Sequence, residues 1–166
     1  MSSFCSSFNE ELILWLVKHN GRDELCDYAA ERGDIELLSW AREHGCEWSE
    51  YTSYEAAANG HVDVLTWLYN NEYPYIESNS ICVAAAKGGH IPVLSWAYEH
   101  NIIADTHACI MAAEGGHLTT LKWLREHGCP WDEDVCSSAA KNGHLSVLSW
   151  AYENKCPCDV GVYIEA

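Results

Sequence analysis

The sequence predicts an all-α protein, an α-solenoid of about five helix–turn–helix repeats with a period of 27 residues and little or no β-hairpin. Three observations carry that prediction. Tryptophans recur at Trp40, Trp67, Trp96, Trp123 and Trp150, at intervals of 27, 29, 27 and 27 residues. A glycine stands seven residues before each of them, at Gly33, Gly60, Gly89, Gly116 and Gly143. Seven residues before each glycine lie Cys26, Ser53, Cys82, Cys109 and Cys136. Self-similarity at a fixed period of roughly 20–50 residues marks an array of small units that stack on one another. A catalytic constellation is normally made once and not copied along a chain.

One copy shows why the unit is a helix pair. In DEDVCSSAAKNGHLSVLSWAYEN, Asp132 or Asp134 supplies a helix cap, and Cys136, Ala139 and Ala140 share one face at helical spacing. Gly143 provides the left-handed residue that ends a helix cheaply. Leu145, Val147, Leu148, Trp150 and Ala151 then form an apolar stripe too wide for a simple surface helix, so it must be covered on two sides. Pro92 falls in the first turn of its own second helix, where a missing N–H does little harm. The alanine pairs Ala29-Ala30, Ala56-Ala57, Ala85-Ala86, Ala112-Ala113 and Ala139-Ala140 let first helices approach closely. The five repeated tryptophans are expected to complement them as buried core residues.

The whole of 1–166 reads as a single repeat domain, with repeats at about 22–48, 49–75, 76–104, 105–131 and 132–158. The interval of 29 places two extra residues near 76–79, in a longer loop. Residues 10–20 (EELILWLVKHN) resemble a lone second helix, and 159–166 are expected to form an incomplete cap whose apolar edge permits end-to-end self-association.

Acidic residues outnumber basic ones by 25 to 9, for a net charge of −16. That balance argues against nucleic acid and anionic membrane as partners, because both are bound through lysine and arginine. It favours a protein partner with a basic surface. The amino terminus lacks a basic stretch, and the apolar run from Leu12 to Val17 is too short to span a bilayer. Nine cysteines, an odd number concentrated at two repeat positions, read as small buried thiols in a reducing compartment. The expected location is intracellular, in the cytoplasm.

The segments AANGHVDVLTWL, AAKGGHIPVLSWA and AAKNGHLSVLSWA resemble the Ala-Ala-x-x-Gly-His-x-x-Val-(Val/Leu)-x-x-Leu core of ankyrin repeats. The resemblance covers about residues 22–159. Two departures stand out: the Thr-Pro-Leu-His that opens the usual first helix is missing, and the spacing is 27 where the family has about 33. The shortfall lies where an ankyrin repeat makes its protruding β-hairpin finger, so a plain loop is expected there. Similar short, tryptophan-bearing repeats with Gly-Cys-Pro-Trp occur in large DNA viruses and protists; a viral origin would put the protein in host cytoplasm.

What the resemblance implies is a non-enzymatic module that binds a protein partner through a concave face and loops. On that face the pairs before the turn glycines point outward, giving Glu31, Arg32, Asn59, Lys87, Glu114, Lys141 and Asn142 as candidate contacts. Trp48, Tyr75 and Trp131 share one loop position and complete the candidate set, although three recurrences at one place also suit a packing duty. No catalytic residue is expected: the sequence holds no phosphate-binding Gly-x-x-x-x-Gly-Lys, no Gly-x-Ser-x-Gly and no His-Glu-x-x-His. No cofactor is expected either.

The alternative is a Cys/His-rich metal-binding or redox-responsive module. His61, His90, His117 and His144 follow the turn glycines and read as turn-packing residues, and His44, His100 and His127 as helix ends. Cys156-Pro157-Cys158 is the best metal candidate, with Cys129 and Cys136 one repeat back, but C-x-C alone is a weak zinc signal. No residue is therefore assigned as a metal ligand from sequence.

Overall fold

The computed structural model describes residues 22–76 and 78–158. The expected lone helix at 10–20 and the cap at 159–166 lie outside the described residues. The described chain forms helices in pairs and contains no strand. In order these are α1 (Arg22–Glu31) and α2 (Ile35–Glu43), α3 (Tyr51–Ala58) and α4 (Val62–Asn70), and α5 (Ser80–Gly88) and α6 (Ile91–Glu99). Then follow α7 (Thr106–Glu114) and α8 (Leu118–Glu126), and α9 (Glu133–Lys141) and α10 (Leu145–Glu153).

Each pair turns at its glycine. Gly33, Gly60, Gly89, Gly116 and Gly143 have φ of 71°, 81°, 78°, 74° and 73°, a region costly for any residue with a Cβ. That turn lets the next N–H, of Asp34, His61, His90, His117 or His144, reach back to the first carbonyl of the alanine pair at 2.8–2.9 Å. A second left-handed turn, not anticipated from sequence, ends each second helix. It falls at Gly45, Glu72, Asn101, Gly128 and Lys155, with φ of 81°, 56°, 61°, 81° and 62°. Behind it the N–H of Cys46, Tyr73, Ile102, Cys129 or Cys156 bonds a carbonyl five residues earlier, at 2.8–3.1 Å.

The first helices pack on one another in chain order, α1 on α3, α3 on α5, α5 on α7 and α7 on α9. The alanines permit this: Ala29, Ala30, Ala56, Ala57, Ala85, Ala86, Ala112, Ala113 and Ala139 are all fully buried. Caps come from acidic side chains where they exist. Asp34 accepts from Leu37 N–H, Asp105 from His107 N–H, and Asp132 (rather than Asp134) from the N–H of Asp134.

The tryptophan expectation needs correction. Only Trp96 is buried, at 6% exposure; Trp40, Trp67, Trp123 and Trp150 are half-buried. The inward positions are taken by Leu38, Leu65, Leu94 and Leu121, all fully enclosed. The indoles lie outside this row and stack on the residue that closes the helix, as Trp40 does on His44 at 3.9 Å and Trp123 on His127 at 3.7 Å. Trp96 stacks likewise on His100 and is met edge-on by Tyr69, as Trp123 is by Tyr98.

Candidate binding surface

The surface is held in register by histidines. The Nε2–H of His61 donates to the carbonyl of Glu31, that of His90 to Ala58, and that of His144 to Glu114, each at 2.9 Å. A carbonyl only accepts, so the hydrogen sits on Nε2 in each case. Every one of these bonds runs from one repeat to the turn of the repeat before it. The histidines are therefore turn-packing residues, and the turn they pack on belongs to their neighbour. His44, His100 and His127 use Nδ1–H instead, on the carbonyls of Trp40, Trp96 and Trp123 at 2.7–2.8 Å. Asn71 and Asn154 do the same through Nδ2.

With the turn carbonyls so occupied, the side chains of Glu31, Arg32, Asn59, Lys87, Lys141 and Asn142 are exposed, and Glu114 is half-buried. Lys87 and Glu114 form an ion pair at 3.0 Å between the third and fourth repeats, which raises the Lys87 pKa. Burial, then the negative charges of Glu31 and Asp27, raise the carboxyl of Glu55. Two positions of this row are packing requirements. A Cβ at Gly88 would come within 2.5 Å of the His90 ring and 2.6 Å of the Ala58 carbonyl, and Gly115 is confined in the same way by His117 and Lys87.

The loop aromatics divide. Trp48 is half-buried against Trp67 and Tyr73, with the Arg42 guanidinium 4.4 Å over its ring. Trp131 is half-buried against Trp150, with Arg125 4.3 Å over it. In both repeats the same arginine also donates to the loop carbonyl, of Cys46 or Cys129. These two tryptophans are clamped between an arginine and a neighbouring ring. Tyr75, in contrast, is 45% exposed.

Tyr75 belongs to an open groove of about 380 Å³ lined by Glu50, Tyr51, Tyr54, Pro74, Tyr75 and two serines. Tyr51 is 58% exposed. Of these residues, sequence reasoning singled out only Tyr75. A signal was present: Tyr51 and Tyr54 stand where the other repeats carry small, acidic, aliphatic or histidine residues, namely Glu24 and Asp27, Ser80 and Val83, His107 and Ile110, Asp134 and Ser137.

In the second to fifth repeats the two recurrent cysteine positions meet, a first-helix residue beneath the loop residue twenty later. The Sγ atoms of Cys109 and Cys129 are 3.2 Å apart, and the Cys82 thiol faces the carbonyl of Ile102. The hydrogen bond to Cys129 and burial raise the Cys109 pKa. In the second repeat the pair is Ser53 and Tyr73, and the buried Tyr73 hydroxyl donates to the Ser49 carbonyl at 2.6 Å. In the last repeat Cys136 is disulfide-bonded to Cys158, which corrects the expectation that cysteines at the Cys136 position are all reduced. Cys158 occupies the loop position held by Trp48, Tyr75, Ala104 and Trp131 elsewhere, so a third sulfur enters where three of the other repeats place an aromatic ring.

Among the described residues no helix is long and apolar enough to cross a membrane. Comparison with protein-family models and with curated proteins gives no match for this chain.

Proposed function

We propose that the chain is a non-enzymatic, ankyrin-like α-solenoid of short repeats that binds a partner protein carrying a basic surface, inside the cell, through its first-helix face and loops. The observation that carries this reading is the tyrosine groove. Tyr51 and Tyr75 are large aromatic side chains left exposed beside Pro74 and the carboxylate of Glu50. Exposed aromatic anchors favour protein contacts, and tyrosine faces with a nearby carboxylate suit an arginine or lysine side chain. The net charge of −16 would draw such a partner in and make association fall with salt. Glu31, Arg32, Asn59, Lys87, Glu114, Lys141 and Asn142 extend the same reading along the turns.

The test compares native-cell affinity purification of the wild type with Tyr51→Ser/Tyr75→Ser. A partner retained by the wild type, lost by the variant and released by moderate salt supports the groove. Equal recovery by both proteins shifts the contact to the turn residues, and salt-insensitive recovery removes the basic-surface argument. A second reading, a metal-binding or redox-responsive module, is favoured by one observation, the gathering of three sulfurs in the last repeat.

A further inference from the structure

The Sγ atoms of Cys136, Cys156 and Cys158 all lie within 4.8 Å of one another. Cys136 is fully buried, Cys156 is 6% exposed and Cys158 is half-buried. Two of the three places are filled in other repeats as well: Cys109 and Cys129 stand in the same relation, and Cys129 Sγ lies 3.0 Å from the Asp105 carbonyl as Cys156 Sγ lies 3.2 Å from that of Asp132. The repeat geometry thus makes a two-sulfur site where both positions hold cysteine. Cys158 is the departure, and it converts that pair into a triad.

We propose that, with its cysteines reduced, the last repeat binds a zinc ion through Cys136, Cys156 and Cys158, fastening the final loop to helix α9. Sulfurs that each sit about 2.3 Å from a tetrahedral zinc are about 3.8 Å from each other, so the bonded sulfurs of Cys136 and Cys158 must be reduced and move apart to admit the ion, with Cys156 already within 4.8 Å of both. Three thiolates select soft or borderline ions such as zinc over magnesium or calcium. A tetrahedral zinc takes a fourth ligand, which water supplies where no side chain does. A disulfide can consume only two of the three sulfurs, so the triad has a ligand set that pairing does not explain.

The two states interconvert with a defined balance. The Cys136–Cys158 bond is the two-electron oxidised form. Two equivalents of a cellular monothiol reduce it, becoming their own disulfide and leaving two protein thiols. Zinc then displaces the protons of all three thiols and takes the sulfurs as ligands. A metal here would add stability to the repeat by tying its loop to helix α9, because the free energy of binding is coupled to folding.

The experiment uses the full chain, purified without chelator under a phosphine reductant and then loaded anaerobically with cobalt(II) as a spectroscopic substitute for zinc. Sulfur-to-cobalt charge-transfer absorption is expected in the wild type and in Cys129→Ser, lost in Cys158→Ser, and bleached when zinc is added. Metal analysis of the as-purified protein should give about one zinc per chain in the same two proteins. Far-UV circular dichroism accompanies each sample, and Cys158→Ala serves if the serine variant does not fold. Absence of charge transfer in reduced, folded wild type overturns the proposal, as does absorption that survives in a folded Cys158 variant. A Cys136–Cys158 disulfide that persists through purification under reductant, with no metal bound, also overturns it and leaves a structural disulfide in its place.

Discussion

The imidazole of His144 lies against the backbone of Gly116, one repeat earlier, so closely that a Cβ on that glycine would come within 2.6 Å of Nδ1. Gly33, Gly60 and Gly89 stand in the same relation to His61, His90 and His117, at 2.7–2.8 Å. The conformation of one repeat and its contact with the next therefore depend on the same glycine. Replacing Gly116 by alanine should cost more than the roughly 1–2 kcal/mol of a left-handed alanine, because the ring and its bond to the Glu114 carbonyl must also give way. Gly143, with φ of 73° and nothing within 4 Å of its would-be Cβ, isolates the conformational part. Urea unfolding of Gly116→Ala, Gly143→Ala and Gly116→Ala/His144→Ala checks this. The double variant should be less destabilised than the sum of its single changes, and strict additivity would contradict the contact.

Trp96→Ala should lower stability by about 3–5 kcal/mol, the usual range for an aromatic cavity. The same change at Trp40 or Trp150 should cost clearly less, since those indoles are half-buried and the interior row of leucines survives. Denaturant midpoints of the three variants measure the ranking. Equal losses would mean that burial does not control the contribution of this position.

Glu72 and Lys155 hold φ of 56° and 62° where Gly45 and Gly128 stand in their own repeats. Glu72→Gly should therefore stabilise the protein by up to about 1 kcal/mol, the left-handed penalty removed less the entropy that glycine adds to the unfolded chain. Thermal unfolding reads the shift. A loss of stability would show that the Glu72 side chain contributes more than its backbone costs.

Burial, followed by Cys129 and Asp105, pushes the Cys82 thiol from its ordinary 9.0 up to about 12. Its stabilising effect is present below the unfolded value and is lost as pH rises from about 9 toward 12, because the unfolded thiol releases its proton first. Two outcomes follow for the folded protein. Cys82 should resist iodoacetamide at neutral pH and react once urea unfolds the chain, as peptide mass spectrometry will show. Cys82→Ala should flatten the decline in stability above pH 9.

Much of the helix layout was legible in residue spacing alone. The turn glycines and alanine pairs determine where helices end and which faces approach, because a positive φ and a close backbone contact each admit few residue types. A cap at Asp132 or Asp134 could be read for the same local reason, and the fold chose Asp132. The longer loop before α5 was legible too, since an insertion shifts the register of everything after it. What depends on one repeat meeting the next was not. That the histidines reach the preceding turn and that Gly88 and Gly115 press on the carbonyls of Ala58 and Lys87 are matters of distance across the stack, and that Trp48 and Trp131 lie under arginines is decided by how each loop folds onto its own repeat. The second left-handed turn was hidden because Glu72 and Lys155 adopt it without the glycine that advertises it. The sulfur triad is tertiary within a single repeat: sequence supplies a weak Cys-Pro-Cys, and only the folding of the loop onto α9 brings Cys136 to complete it. Local conformational preference is written in residue order, whereas contact between repeats is decided by how the units stack.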